Sequence, residues 1–255
     1  MLKSLLLVFL FISLSANENS WYSKIDTRIE AGILLLDTGG DISNTTSTSD
    51  FRDDLGYMKL KSSYLGVEIL VNYDYIPNLH IDYFNLNDNK DEKLTKTIKI
   101  ADGIFETNTS ISTDMKYEVY NAILYQDFKI KGKVFSIFSK NYYTGDIEFD
   151  AGINTKKIHW KFNIQDSWIR VDKLIFLPYL GFKYYLYNLI VYGEVSALAF
   201  NRAESTAYQA GIEYNVVDRL YLVGGYFYED FEVLEKKDTV NFNSSGYKLS
   251  FKYSF

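Results

Sequence analysis

The sequence contains no cysteine. No disulfide can brace the chain and no thiolate can serve as nucleophile or metal ligand, so 255 residues must hold together by burial or by closing a sheet on itself. Proline occurs only twice and histidine only twice. Beyond the first 16 residues, no run approaches the roughly 18 consecutive apolar residues of a membrane-spanning helix. There is no basic excess either: the formal net charge is -6, which argues against a nucleic-acid partner. No Gly-rich phosphate loop, metal-ligand cluster or nucleophile elbow is present, so neither cofactor nor metal is expected.

Aromatic residues and alternation are what the chain has in quantity. It carries 23 Tyr and 18 Phe, residues that suit pleated surfaces better than helices. Its last residues, "SSGYKLSFKYSF", set Tyr247, Leu249, Phe251, Tyr253 and Phe255 against Lys248, Ser250, Lys252 and Ser254. Strict alternation marks a strand with one apolar and one polar face. The first residues, "MLKSLLLVFLFISLSA", have one early cation, a short apolar run and small residues up to Ala16, the layout of a secretory signal peptide. The expected organisation is a signal peptide at 1–16 and a single domain at 17–255.

Alternating runs recur along the whole chain. "IDTRIEAGILLLD", "YLGVEILVNY", "LHIDYF" and "MKYEVYNAILYQ" fill the first half, with Pro77 in a turn at a strand end. "LTKTIKIADGIFETNTSI" reads as a hairpin around Asp102-Gly103. "IEFDAGI" and "IHWKF" alternate out of phase with each other, as across a bulge or turn. "LIFLPYLGFKYYLY", "LIVYGEVSALAF", "TAYQAGIEYNVV" and "RLYLVGGYFYEDF" lead to the terminal strand, and residues 128–145 hold one more strand or a long excursion. The pattern predicts an all-β, closed antiparallel transmembrane barrel of about 12 strands, with 10 or 8 as alternatives, short periplasmic turns and long extracellular loops. The longest exposed loop is expected at 38–59.

"LDTGG", "YIPNLHIDYFNL", and "YEVYNAILYQDF" followed by "IEFDAGI" resemble a family of small exported bacterial barrels named for a Gly-Gly pair. The similarity covers most of the mature chain, although the stretch between Gln126 and Ile147 is longer than that family leads one to expect. What the resemblance implies is a monomeric outer-membrane barrel of unassigned biochemical role. Phe255 resembles the C-terminal signal read by the outer-membrane insertion machinery, and outer-membrane lipid and lipopolysaccharide are the surroundings it implies.

With the apolar face outside, the lumen is expected to be lined by Arg28, Glu30, Glu68, Lys99, Lys116, Glu118, Asp150, Lys161, Lys183, Glu194, Glu213, Lys248 and Lys252. Both charge signs occur, which fits a packed interior of ion pairs better than a one-sign selectivity ring. Tyr57, Tyr226 and Tyr228 fall near strand ends, where interfacial belts collect tyrosine. For catalysis the weak candidates are His80 with Asp82, two apart on one strand face, and His159, inward if Ile158 and Trp160 face lipid. The leading expectation is a non-enzymatic barrel that supports envelope integrity or passes small solutes slowly. A lipid hydrolase using a lumen histidine and an adhesin acting through exposed loops are the alternatives.

Overall fold

The computed structural model describes residues 25–43, 48–73, 75–100, 103–137, 140–165, 167–200, 203–235 and 238–255. The expected signal peptide lies outside the described residues. In chain order the strands open with β1 (Ile25–Ser43), β2 (Thr48–Asp50), β3 (Lys59–Val71), β4 (Asn78–Lys93), β5 (Ile98–Ile100) and β6 (Gly103–Phe105). There follow β7 (Ser110–Ile130), β8 (Val134–Ile137), β9 (Lys140–Tyr143), β10 (Asp146–Ile164) and β11 (Ser167–Leu186). The last are β12 (Leu189–Phe200), β13 (Ala203–Val217), β14 (Leu220–Glu235) and β15 (Asp238–Ser254).

Ten of these form one antiparallel ring in the order β15-β14-β13-β12-β11-β10-β7-β4-β3-β1, and β1 pairs with β15 from Arg28 opposite Ser254 to Ser43 opposite Thr239. The alternation at the chain's end is thus the closing seam: Leu249 and Phe251 project outward while Lys248 and Ser250 are buried. A barrel of ten strands replaces the expected twelve. The difference lies in the hairpin at 98–105, whose β5 and β6 pair only with each other, and β8 and β9 form a second such excursion within 128–145. A three-residue strand carries the local signals of a longer one but reaches no barrel neighbour.

Loop lengths also depart from expectation. At the end of the barrel away from Ile25 and Phe255, β10 and β11, β12 and β13, and β14 and β15 are separated by only two residues each in the chain. Polar residues of the expected loops, Glu204, Ser205, Glu235 and Asp238, belong to the strands instead. The 38–59 segment is not an exposed loop either. Residues through Ser43 continue β1, and β2 folds back on Asp41–Ser43. Gly40 permits the bend: its φ is +105°, and a Cβ there would meet the Asn241 carbonyl oxygen at 2.1 Å. The chain then turns into the barrel, where Phe51, Leu55 and Tyr57 have no exposed surface. Tyr57 therefore belongs to the interior, not to a belt.

The strands are long. β7 has 21 residues and β11 has 20; at about 3.3 Å per residue and a tilt near 45°, twenty residues climb about 47 Å, well above an apolar belt about 25 Å tall. The register shows what happens to the excess. On the outer face of β4, β7, β10 and β11, successive rows read Leu79-Leu124-Ile153-Pro178, Ile81-Ala122-Thr155-Phe176 and Tyr83-Tyr120-Lys157-Leu174. The next two are Asn85-Glu118-His159-Asp172 and Asn87-Lys116-Lys161-Arg170. The sequence of rows is hydrocarbon, interface and water. Tyr83 and Tyr120 mark the boundary with ring centroids 4.7 Å apart, and Tyr208 stacks on Tyr228 at 4.7 Å on the far side of the barrel.

This change of surroundings explains the phase conflict in β10. No bulge interrupts it: Asp146 to Ile164 pairs without a shift against β11, and Ile147 to Ile164 does so against β7. Phe149 and Ile153 point out to the apolar exterior, whereas Ile158, Trp160 and Phe162 are buried inside. Side-chain direction keeps its two-residue period throughout. What reverses is which side is wet.

Candidate functional site

The candidate site is the lumen, and it is built differently at its two levels. In the lower half, near the chain termini, inward positions are charged because outward ones must be apolar. Lys183 on β11 lies 2.9 Å from Glu148, 3.2 Å from Asp150 and 3.6 Å from Glu68. Arg28 holds the other Glu68 oxygen at 3.2 Å, and the Tyr125 hydroxyl donates to Glu68 at 2.6 Å. Tyr185 donates to Glu148 at 3.0 Å, and Lys129 bridges Asp127 and Glu148 at 2.8 and 3.3 Å. A second cluster joins Lys248 to Glu30 at 3.0 Å, with Lys252 bridging Glu213 and Glu30. Lys248 also stands over the ring of Tyr64, 4.6 Å from its centroid. Burying charge is costly unless it is paired; every charge here has an opposite partner, although neither Asp150 oxygen has a hydrogen bond besides.

Above them the lumen is apolar and aromatic. Phe51, delivered by the infolded segment, meets Trp160, Phe162 and Phe242 edge-on at 5.7, 5.8 and 5.7 Å. Tyr117, Phe231 and Phe242 pack together beside it. Tyr57 seals the edge, donating to Thr113 Oγ1 at 3.0 Å. Between the two levels Lys156 and Glu229 form an ion pair in which neither side chain is more than 1% exposed.

Of the sequence-predicted residues, Arg28, Glu30, Glu68, Asp150, Lys183, Glu194, Glu213, Lys248 and Lys252 lie on inward-facing positions of the barrel strands. Four do not. Lys116, Glu118 and Lys161 are on the outer wall, in the polar rows above the tyrosines, and Lys99 is in the β5–β6 hairpin, which pairs with no strand of the ring. His159 is likewise on the outer wall, 3.5 Å from Asp172, because Ile158 and Trp160 face inward and not toward lipid. His80 does face the lumen, with Nε2 3.9 Å from Asp82 Oδ2, beyond hydrogen-bond reach. Phe255 follows the last strand, half-exposed, its N–H donating to the Thr27 carbonyl at 2.9 Å.

Sequence reading missed Glu148 and Lys156. Both share the parity of Asp150 along β10, so extending that one inward face would have found them. It also missed Glu229, because "YFYEDFEV" reads as a polar strand end and not as a core position. Among the described residues no group of three or more His, Asp or Glu side chains is arranged to hold a metal.

No family model matches the chain, and no curated protein matches it. Solved structures do. Ail, the attachment invasion locus protein of Yersinia pestis, is 12% identical over 91% of this chain and 99% of its own, with a TM-score of 0.35. Neisserial surface protein A is 13% identical over 91% and 97%, also at 0.35. The translocator domain of the autotransporter NalP from Neisseria meningitidis is 9% identical over 89% and 88%, at 0.43. Identities and scores this low say nothing of a shared activity.

Proposed function

We propose that this chain is a monomeric bacterial outer-membrane barrel, non-enzymatic, that supports the envelope instead of conducting solutes through its axis. One observation carries the reading: the lumen is filled at both levels, by ion pairs below and by the Phe51–Trp160–Phe162–Phe242 core above. Opening an axial path would mean breaking both. A barrel of ten strands is also well below the 16 strands at which porins leave a channel. The resemblance to the Gly-Gly barrel family, insertion through the Phe255-terminated strand, and surroundings of lipopolysaccharide and lipid belong to the same proposal. The apolar outer belt and its tyrosine boundary support it. The hydrolase alternative loses support because His159 is on the outer wall and His80 is not hydrogen-bonded to Asp82.

Conductance in a planar bilayer tests this. Refolded protein that shows a heat-modifiable gel shift is expected to give no steady current steps. Steady steps with a defined reversal potential across a salt gradient would overturn the reading.

A further inference from the structure

The barrel wall is not zipped to its full height between β11 and β12. Those strands pair from Leu186 opposite Leu189 up to Tyr179 opposite Ser196, and there the ladder stops. Above that point Ser167–Pro178 keep their ladder with β10, and Ala197–Phe200 keep theirs with β13. The next pair in register would set Pro178 against Ala197. Proline has no N–H to give a ladder and is confined to sheet edges, so one of the chain's two prolines stands where β11 becomes an edge. The flanking outer surface is apolar: Leu174, Phe176 and Leu180 are all exposed.

Behind the split lies a cavity of about 50 Å³, room for about three to five waters at roughly 10–15 Å³ each. Along the barrel axis it is bounded on β10 by the Lys156–Glu229 pair above Asn154 and by the Lys183–Asp150 cluster below. Sideways it reaches the outer surface, because the outward-facing Val195 and Tyr208 help to line it. The cavity lies across the lumen, lined from eight of the ten ring strands, and opens sideways at β12 and β13.

Its chemistry is acceptor-rich. Two carboxylates line it, each held by one neutral amide: Asn121 donates to Asp82 at 2.8 Å and Gln209 to Glu194 at 3.0 Å. The other basic groups nearby are His80, 3.9 Å from Asp82, and Lys248, already bound to Glu30 at 3.0 Å. Two residues that line the cavity each carry a buried polar atom with no hydrogen-bond partner. These atoms are the Tyr64 hydroxyl and Asn154 Oδ1, on residues 6% and 3% exposed. A buried polar atom left without a partner costs free energy that a ligand donor would return.

We propose that this cavity binds the head group of an amphiphile bearing a primary ammonium, which enters from the bilayer through the β11–β12 split. The proposal rests on the barrel spanning a membrane. An ammonium offers three donors, enough for the two carboxylates and one of the orphaned Tyr64 and Asn154 oxygens. The volume admits only a few heavy atoms, so the tail stays outside against Leu174, Phe176 and Leu180. An anionic head would face two carboxylates. A trimethylammonium head brings charge without donors and is too bulky.

The test uses the refolded full-length barrel in phosphatidylcholine vesicles, titrated calorimetrically with dodecylammonium. Saturable one-to-one binding above simple partitioning is expected. Affinity should be at least tenfold weaker for dodecyltrimethylammonium, and at least tenfold weaker for dodecylammonium in the Asp82→Asn/Glu194→Gln double variant. Ala207→Leu, which fills the cavity from β13, should abolish binding and serves if the double variant does not fold. A floated, gel-shifting barrel that shows only partitioning, or that binds dodecyl sulfate equally well, overturns the proposal alone. A protein that does not float with the vesicles overturns the membrane reading as well.

Discussion

The lower and upper halves of this barrel are made of the same strands, in one register, and yet have opposite cross-sections. Below the tyrosine rows Ile153 and Leu249 face out and Asp150, Lys183 and Lys248 face in. Above them Lys161 and Arg170 face out and Trp160, Phe162 and Val171 face in. The backbone contributes only the two-residue alternation. Which set goes inside is decided by what lies outside: hydrocarbon excludes charge and water excludes apolar surface. A strand that outgrows the membrane must therefore exchange the chemistry of its two faces part-way along.

The largest effect that can break this comparison is in the upper core. Trp160→Ala empties a fully buried site against Phe51 and Phe162 and is expected to cost about 3–5 kcal/mol. Trp168→Ala, on the outer face of the neighbouring strand and 65% exposed, should stay within about 0.5 kcal/mol. Denaturant unfolding of the reconstituted barrel measures both. Equal losses would mean that the upper half has no core of its own.

The next effect sharpens the boundary itself. Ile153 and His159 share the outer face of β10, six residues apart. Ile153→Arg puts a charge in hydrocarbon and is expected to cost about 2–4 kcal/mol, whereas His159→Arg, above the tyrosine row, should cost about 0–1 kcal/mol. The same unfolding measurement decides it. A similar cost at both positions would move the membrane boundary up past Asp172.

Much of this was legible in the sequence, and the failures have three separate causes. The ten ring strands, the faces of their lower halves and the β1–β15 seam follow from alternation, and so does the inward placement of Glu68, Lys183 and Lys248. Reading apolar residues as lipid-facing everywhere puts Glu118, Lys161 and His159 inside. Alternation fixes parity but not the solvent beyond the wall, so the error reversed whole segments without misplacing any strand. The infolded segment was hidden differently. Phe51, Leu55 and Tyr57 are sparse among Asp, Ser and Thr, and no local period distinguishes a plug residue from a loop residue. The site between the halves needed long-range pairing to be seen, because Lys156 meets Glu229 across the barrel.

The smallest effect concerns the seal of the upper core. Tyr57 has no exposed surface, donates to Thr113 Oγ1 at 3.0 Å and stands edge-on to Phe162 at 6.2 Å. Burial pushes its phenol up from the ordinary value, so the hydroxyl stays protonated and able to donate across neutral and mildly alkaline pH. Tyr57→Phe keeps the ring and removes that donor. Thr113 retains its contact with the Lys90 carbonyl at 3.4 Å, so neither partner is stranded and the loss should be about 0.5–1.5 kcal/mol. Tyr57→Ala removes the ring as well and should approach the Trp160→Ala loss. If the two Tyr57 variants unfolded alike, the ring would contribute nothing, and the segment around it would be lying on the barrel mouth instead of inside it. A clear gap between them is what a plug requires, because only a buried ring has packing to lose.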